Sequence, residues 1–159
     1  MHHVRGIPRQ QIALLPPAID DYVSLDHPVR VVDAFIGTLD LGRLGFERVQ
    51  TEATGRPPYH PADLLKLYVY GYMNRIRSSR LLERECQRNL EMMWLIGQLR
   101  PDFKTIANFR KENGEAIRGV CRAFVLFAQR EGLVEGEVVA IDGSKFQAAA
   151  SGKGAYTES

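Results

Sequence analysis

Two groups of residues in this sequence have types and spacing suited to chemistry: an acid directly after an apolar run, and a series of basic residues at helical intervals. Asp142 follows Val138-Val139-Ala140-Ile141, a β-branched stretch of the kind that forms a buried strand. Asp142-Gly143 is a hairpin dipeptide, and Phe146 to Ala150 can supply the returning strand. A carboxylate held at a sheet edge can bind a divalent metal through oxygen. Asp is equally a favourable turn residue, and one carboxylate alone does not make a metal site. The local pattern leaves both readings open.

The basic series is Arg77, Arg80, Arg84 and Arg88. On one helix these residues would share an arc of about 80°, with Leu82, Cys86 and Leu90 on the opposite side. The helix before them should begin at Pro61. Leu64, Leu65, Leu67, Tyr68, Val69, Tyr70, Tyr72 and Met73 cover most of its circumference, which marks a central core helix. Gly71 would let a neighbour approach closely. Asn74 to Arg77 forms a tight link, with Ser78 or Ser79 as the next cap. Two helices so joined, the second basic and exposed, fit a helix-turn-helix-like unit. Against this stand Glu83 and Glu85, because arginine stripes can be solvated faces with internal salt bridges. Residues 61–132 hold thirteen Lys/Arg against eight Asp/Glu, between mildly acidic ends. That surplus permits a polyanionic partner without requiring one.

Other elements must position these groups. Residues 1–15 show no periodicity and suggest a flexible arm, with His2 and His3 solvated. Pro16-Pro17 opens a short helix containing Ile19, Tyr22 and Val23. Asp26 then offers an N-cap, Pro28 occupies the first turn, and Val29, Val32, Phe35 and Ile36 mark an apolar face ending near Leu39. Leu41 to Phe46 reads as a turn and Thr51 to His60 as a loop. Glu91 to Leu99 reads as core. After Arg100-Pro101-Asp102, Thr105 with Asn108 resembles a capped helix start, with Lys104, Arg110 and Lys111 facing outward. The apolar phase crosses Asn113-Gly114, giving one kinked helix or two that nearly merge, and Gly132 ends it. Cys86 and Cys121 fit reduced core thiols. No signal peptide or transmembrane-length run is visible, so a cytoplasmic location and no membrane partner are expected.

Four stretches carry a family resemblance: LLPPAIDDYVSLDHPVRVVDAF, GRPPYHPADLLKLYVYGYMNRIRSSRLLEREC, LRPDFKTIANFRKENG and VVAIDGSKFQAAAS. Together they run from about Leu14 to Ser151. The chain resembles the N-terminal part of bacterial insertion-sequence transposases of the DDE type, those with an InsH-like N-terminal domain. The resemblance implies a mainly α fold: a helical DNA-binding domain over 16–132, then the first β-hairpin of an RNase H-like domain over 133–159. It also implies that Asp142 is the first acid of a DDE triad, a metal ligand in a complete enzyme. In such enzymes three carboxylates hold two divalent ions, Mg²⁺ or Mn²⁺, for in-line phosphoryl transfer.

Seventeen residues follow Asp142, whereas the family's second and third acids lie far downstream. Glu135 and Glu137 sit at odd offsets and would point to the other strand face, and Glu158 lies in a Gly- and Ser-containing tail. The expectation is therefore a truncated transposase, nucleoid-associated, with no metal bound to this chain and no strand-cleaving activity by itself. Its isolated hairpin would fold back on the helices or remain partly disordered. The function expected is binding of duplex DNA, at terminal inverted repeats, through Arg75, Arg77, Arg80, Arg84 and Arg88, supported by Lys104, Arg110 and Lys111. The earlier arginines would meet base edges and the later ones phosphates. The alternative is a helical module that pairs with itself or with full-length transposase and inhibits the latter through mixed oligomers.

Overall fold

The computed structural model describes residues 4, 6–46 and 58–133, with the backbone of two short strands, β1 (Val138–Ile141) and β2 (Ser144–Gln147). The chain is mainly helical. A 3-10 turn at Ile19–Tyr22 precedes α1 (Pro28–Gly37), α2 (Pro61–Met73), α3 (Ser79–Arg88), α4 (Leu90–Leu95) and α5 (Phe103–Arg130). β1 and β2 pair antiparallel, with Val138 opposite Gln147 and Ile141 opposite Ser144.

The helices start and stop for local reasons. Proline at the first helical position makes the residue before it the N-cap. That residue is histidine twice: Nδ1 of His27 accepts from Val29 N–H, and Nδ1 of His60 accepts from Ala62 N–H, each at 3.1 Å. The cap of α1 is thus His27, one residue after the expected Asp26. At α5 the cap is Asp102, whose carboxylate accepts from Thr105 N–H at 2.7 Å. Thr105 lies inside the helix and does not open it.

Three helices end in the same hydrogen-bonded loop, in which the residue after the C-cap turns left-handed. For α5 it is Gly132 (φ 69°), as the sequence suggested, and for α4 it is Gly97 (φ 62°). In α2 the position is held by Arg75 (φ 59°), with Ile76 N–H bonded to Gly71 C=O at 2.7 Å. Asn113 (φ −121°, ψ 22°) breaks the run of helical angles in α5. Its side-chain amide donates to Phe109 C=O at 3.1 Å, one turn back on the same helix. The structure therefore has one kinked helix at this point.

Helix α2 is central, packed on α1, α4 and α5, while α3 lies against α4 and α5. Leu65, Leu67 and Val69 of α2 have no exposed surface, nor do Val32, Met92 and Ile106 on its neighbours. Each such side chain contributes about 1.5–3 kcal/mol on burial. Phe35 meets Phe124 edge-on with centroids 5.2 Å apart, and Tyr68 stacks on Phe109 while donating its hydroxyl to Ile106 C=O at 2.7 Å. Cys86 and Cys121 are free and buried, and burial pushes both thiols up to about 12, which leaves them unreactive.

A side-chain hydroxyl among the described residues of this core is unmatched. The Tyr72 hydroxyl is out of contact with solvent and has no hydrogen-bond partner among the described residues. A buried hydroxyl without a partner bears an uncompensated desolvation cost. Tyr72→Phe is accordingly expected to leave stability unchanged or raise it by up to about 1 kcal/mol, read as the urea midpoint. A loss of more than about 1 kcal/mol would show that the hydroxyl is satisfied after all.

Candidate nucleic-acid interface

The outer face of α3 follows from its inner one. Leu82, Cys86 and Glu85 are buried, which turns Arg80 and Arg84 to the opposite side. All eight basic residues singled out in the sequence are exposed: Arg75, Arg77, Arg80, Arg84, Arg88, Lys104, Arg110 and Lys111. They do not form one helical stripe. Ser78 is the N-cap of α3, so Arg77 lies in the link outside the helix, and its place in the expected arc is lost. Arg75 and Arg77 instead stand on the α2–α3 connection, just ahead of the arginines of α3.

The arginines differ in what holds them. The Arg80 guanidinium lies over the Phe103 ring at 4.0 Å, a cation–π contact that ties α3 to the start of α5, next to Lys104. Arg84 makes no hydrogen bond or ion pair among the described residues. Arg88 is committed inward: its Nε and Nη2 both lie 2.8 Å from Oε1 of Glu85. Farther along α5, Arg110 and Lys111 line a groove of about 610 Å³ between the kink and the Leu44–Gly45 turn, shared with Glu112, Glu115 and Arg118. The basic residues are therefore gathered in two places, with the surface around α3 the more uniformly positive.

Behind that surface runs a chain of polar contacts. Glu85, only 8% exposed, accepts from Arg88 and from Asn89 Nδ2 at 2.8 Å. The same amide donates to the Tyr70 hydroxyl at 2.9 Å, and that hydroxyl donates to Glu91 Oε2 at 2.8 Å. Glu91 Oε1 lies 3.0 Å from His27 Nε2. Asn89 Oδ1 caps α4 by accepting from Glu91 and Met92 N–H. The chain thus joins α1, α2, α3 and α4. The Asn89 amide, then the Arg88 guanidinium, hold the Glu85 carboxyl below its ordinary range, and burial raises the Tyr70 hydroxyl. Sequence reasoning missed this network. Its members come from three parts of the chain, His27, Tyr70 and the run from Glu85 to Glu91, and the local signals were Asn89 at a helix junction and Glu85 one turn before Arg88.

A second anchor fixes the N-terminal turn. Asp20 accepts from Trp94 Nε1–H at 2.7 Å and lies 2.8 Å from Arg30 Nη2, while Arg30 covers the Trp94 ring at 4.8 Å. The Trp94 and Arg30 hydrogen bonds hold the Asp20 carboxyl below its usual range.

Asp142, the expected catalytic acid and metal ligand, lies outside the described residues, as do Glu135, Glu137 and Glu158. Among the described residues no three His, Cys, Asp or Glu side chains are grouped to hold a metal ion. No helix among them is long and apolar enough to cross a membrane.

A family model described as Transposase domain (DUF772) matches residues 17–112, more than half of the chain. The match runs from the 3-10 turn to Glu112, the residue before the break at Asn113, and includes all eight basic residues. No curated protein and no solved structure matches the chain.

Proposed function

This chain belongs to the transposase-domain family DUF772, and from that premise we propose that it binds duplex DNA at the terminal inverted repeats of an insertion sequence. Within the proposal α2 and α3 act as a helix-turn-helix-like unit, with α3 presented to the DNA. The observation that carries it is the exposure of Arg75, Arg77, Arg80 and Arg84 on one connection and one helix face, beside Lys104. Guanidinium groups so placed match phosphate oxygens and guanine edges. Arg110 and Lys111 are assigned to flanking phosphates. Arg88 contributes least, since Glu85 offsets its charge. The finer family assignment, a DDE-type enzyme with an InsH-like N-terminal domain and Asp142 as first acid before an RNase H-like sheet, is part of the same proposal. Mg²⁺ or Mn²⁺ would be its metal, yet the described residues offer such an ion no donor set.

The left-handed Arg75 supports this reading. Where glycine closes α4 and α5, an arginine closes α2 at a conformational cost of about 1 kcal/mol. The turn sets the Arg75 side chain on the exposed α2–α3 connection, ahead of the arginines of α3, where a duplex laid along α3 would meet it. Arg75→Gly should therefore raise thermal stability by up to about 1 kcal/mol while weakening DNA binding, opposite signs from one substitution.

The direct test is a gel-shift titration of the full chain on a duplex carrying the terminal repeat, over a salt series. Affinity should fall with salt by a slope of about −0.9 for each phosphate neutralised, and the Arg110→Ala/Lys111→Ala variant should lose about two units of that slope. Undetectable or salt-insensitive binding by the native chain overturns the proposal.

A further inference from the structure

We propose that Gln87 reads a base, as the third member of a reading edge formed with Arg80 and Arg84 on the outer column of α3. The inference rests on the DNA-binding function proposed above and adds which residues would specify sequence. Arg80, Arg84 and Gln87 follow one another at i, i+4 and i+7, so they share an arc of about 60° centred opposite Leu82 and Cys86. All three are exposed. Between the Cα atoms of Arg80 and Gln87 the helix rises about 10 Å, the span of about three base pairs.

The chemistry of the column differs from that of its edges. Gln87 is neutral, and its amide makes no hydrogen bond among the described residues, which leaves one donor and one acceptor to offer together. That pair matches adenine N7 and N6–H₂ in the major groove, as a guanidinium matches guanine O6 and N7. Arg80 is held over Phe103 at 4.0 Å, so its orientation is set before any partner arrives. Arg88, one position beyond Gln87, is drawn away by Glu85. On the other flank Glu83 is half-buried. A neutral amide in line with two arginines, bordered by a neutralised charge and a half-covered one, suits base discrimination better than phosphate attraction.

The experiment selects bound duplexes from a randomised pool with the full chain and with Gln87→Ala, Gln87→Glu and Arg84→Ala. The native chain should prefer adenine within about three base pairs of a preferred guanine. Gln87→Ala should lose the adenine preference by about fivefold or more and keep the salt slope, because no charge is removed. Gln87→Glu should move the preference toward cytosine, whose N4–H₂ is a donor. Arg84→Ala should relax the guanine position and weaken binding to the preferred duplex more than to others, the base preference changing more than the salt slope. Native binding with a base preference that neither Gln87 variant alters overturns the reading edge and leaves DNA binding standing. Native binding with no base preference also overturns it, and no binding at all overturns both.

Discussion

Asn89→Ala is expected to lower the stability of the chain by about 2–4 kcal/mol, because one side chain serves two jobs. Its Oδ1 caps α4 through Glu91 and Met92 N–H, and loss of such a cap costs about 1 kcal/mol. Its Nδ2 donates to Glu85, a carboxylate 8% exposed, and to the Tyr70 hydroxyl. A hydrogen bond to a buried charge is worth about 1.5–3 kcal/mol, and alanine leaves that charge with Arg88 alone. Urea unfolding gives the number. Asn89→Asp separates the two jobs, since it keeps the capping oxygen but removes the donor and sets a third carboxylate beside Glu85 and Glu91. If Asn89→Asp is as stable as the native chain, capping is the whole effect and the network contributes nothing.

The same residue governs the response to acid. Glu85 has a lowered folded pKa, caused first by the Asn89 amide and next by the Arg88 guanidinium. A carboxylate depressed on folding adds stability that is full above its ordinary value of 4.5 and lost as pH falls through the depressed one. Removing Asn89 removes the largest lowering influence. The stability gap between native chain and Asn89→Ala should therefore narrow below about pH 4.5. Asp20 and Asp102 are also depressed, but they keep their partners in both proteins and do not alter the difference. A gap that widened in acid would mean that Glu85 is not the group being stabilised.

Helix positions were legible in the sequence where the signal was local. Pro61, Gly132 and the apolar faces of α1 and α5 depend on residues within a turn or two of one another. The errors lay at helix starts, by one residue at α1 and three at α5, where Asp102 and not Thr105 is the cap. Pro28 at the first helical position fixes the cap at His27, and Ser78 as cap leaves Arg77 outside α3, so Asp26 and the four-arginine arc gave way to backbone geometry. The exposure of the basic residues was legible too, because the buried phase of Leu82 and Cys86 sets it. What could not be read was which arginine would be spent internally. Arg88 meets Glu85 one turn back on the same helix, and the carboxylate is fixed there by Asn89 at the α3–α4 junction, which Tyr70 of α2 and Glu91 of α4 hold in turn. The family could be recognised from blocks that the match over residues 17–112 largely covers, whereas Asp142 falls beyond both that match and the described residues.

Gly71→Ala should destabilise the chain by about 1–3 kcal/mol, against the direction that helix propensity alone would give. In a helix interior alanine is favoured over glycine by about 1 kcal/mol. Here, however, a Cβ at position 71 would stand 2.8 Å from Leu82 Cδ2 and 2.9 Å from the Ile76 carbonyl oxygen. The leucine methyl can rotate, though its residue is 1% exposed and closely surrounded. The carbonyl cannot yield so simply, because it belongs to the loop closed by Ile76 N–H on Gly71 C=O at 2.7 Å, the loop that holds Arg75 left-handed. Relief must come from moving α3 away from α2, and that carries Arg80 off Phe103 and shifts Arg77 and Arg84 with it. The variant should thus lose stability and DNA affinity together, in contrast to Arg75→Gly, where the two part company. Urea denaturation and a gel-shift titration on the same preparations, run well below the midpoint temperature of the variant, read both quantities. A stabilised Gly71→Ala would show that Gly71 has room beside Leu82 and the Ile76 carbonyl, and the close α2–α3 approach used in the proposed DNA-binding geometry would have to be abandoned.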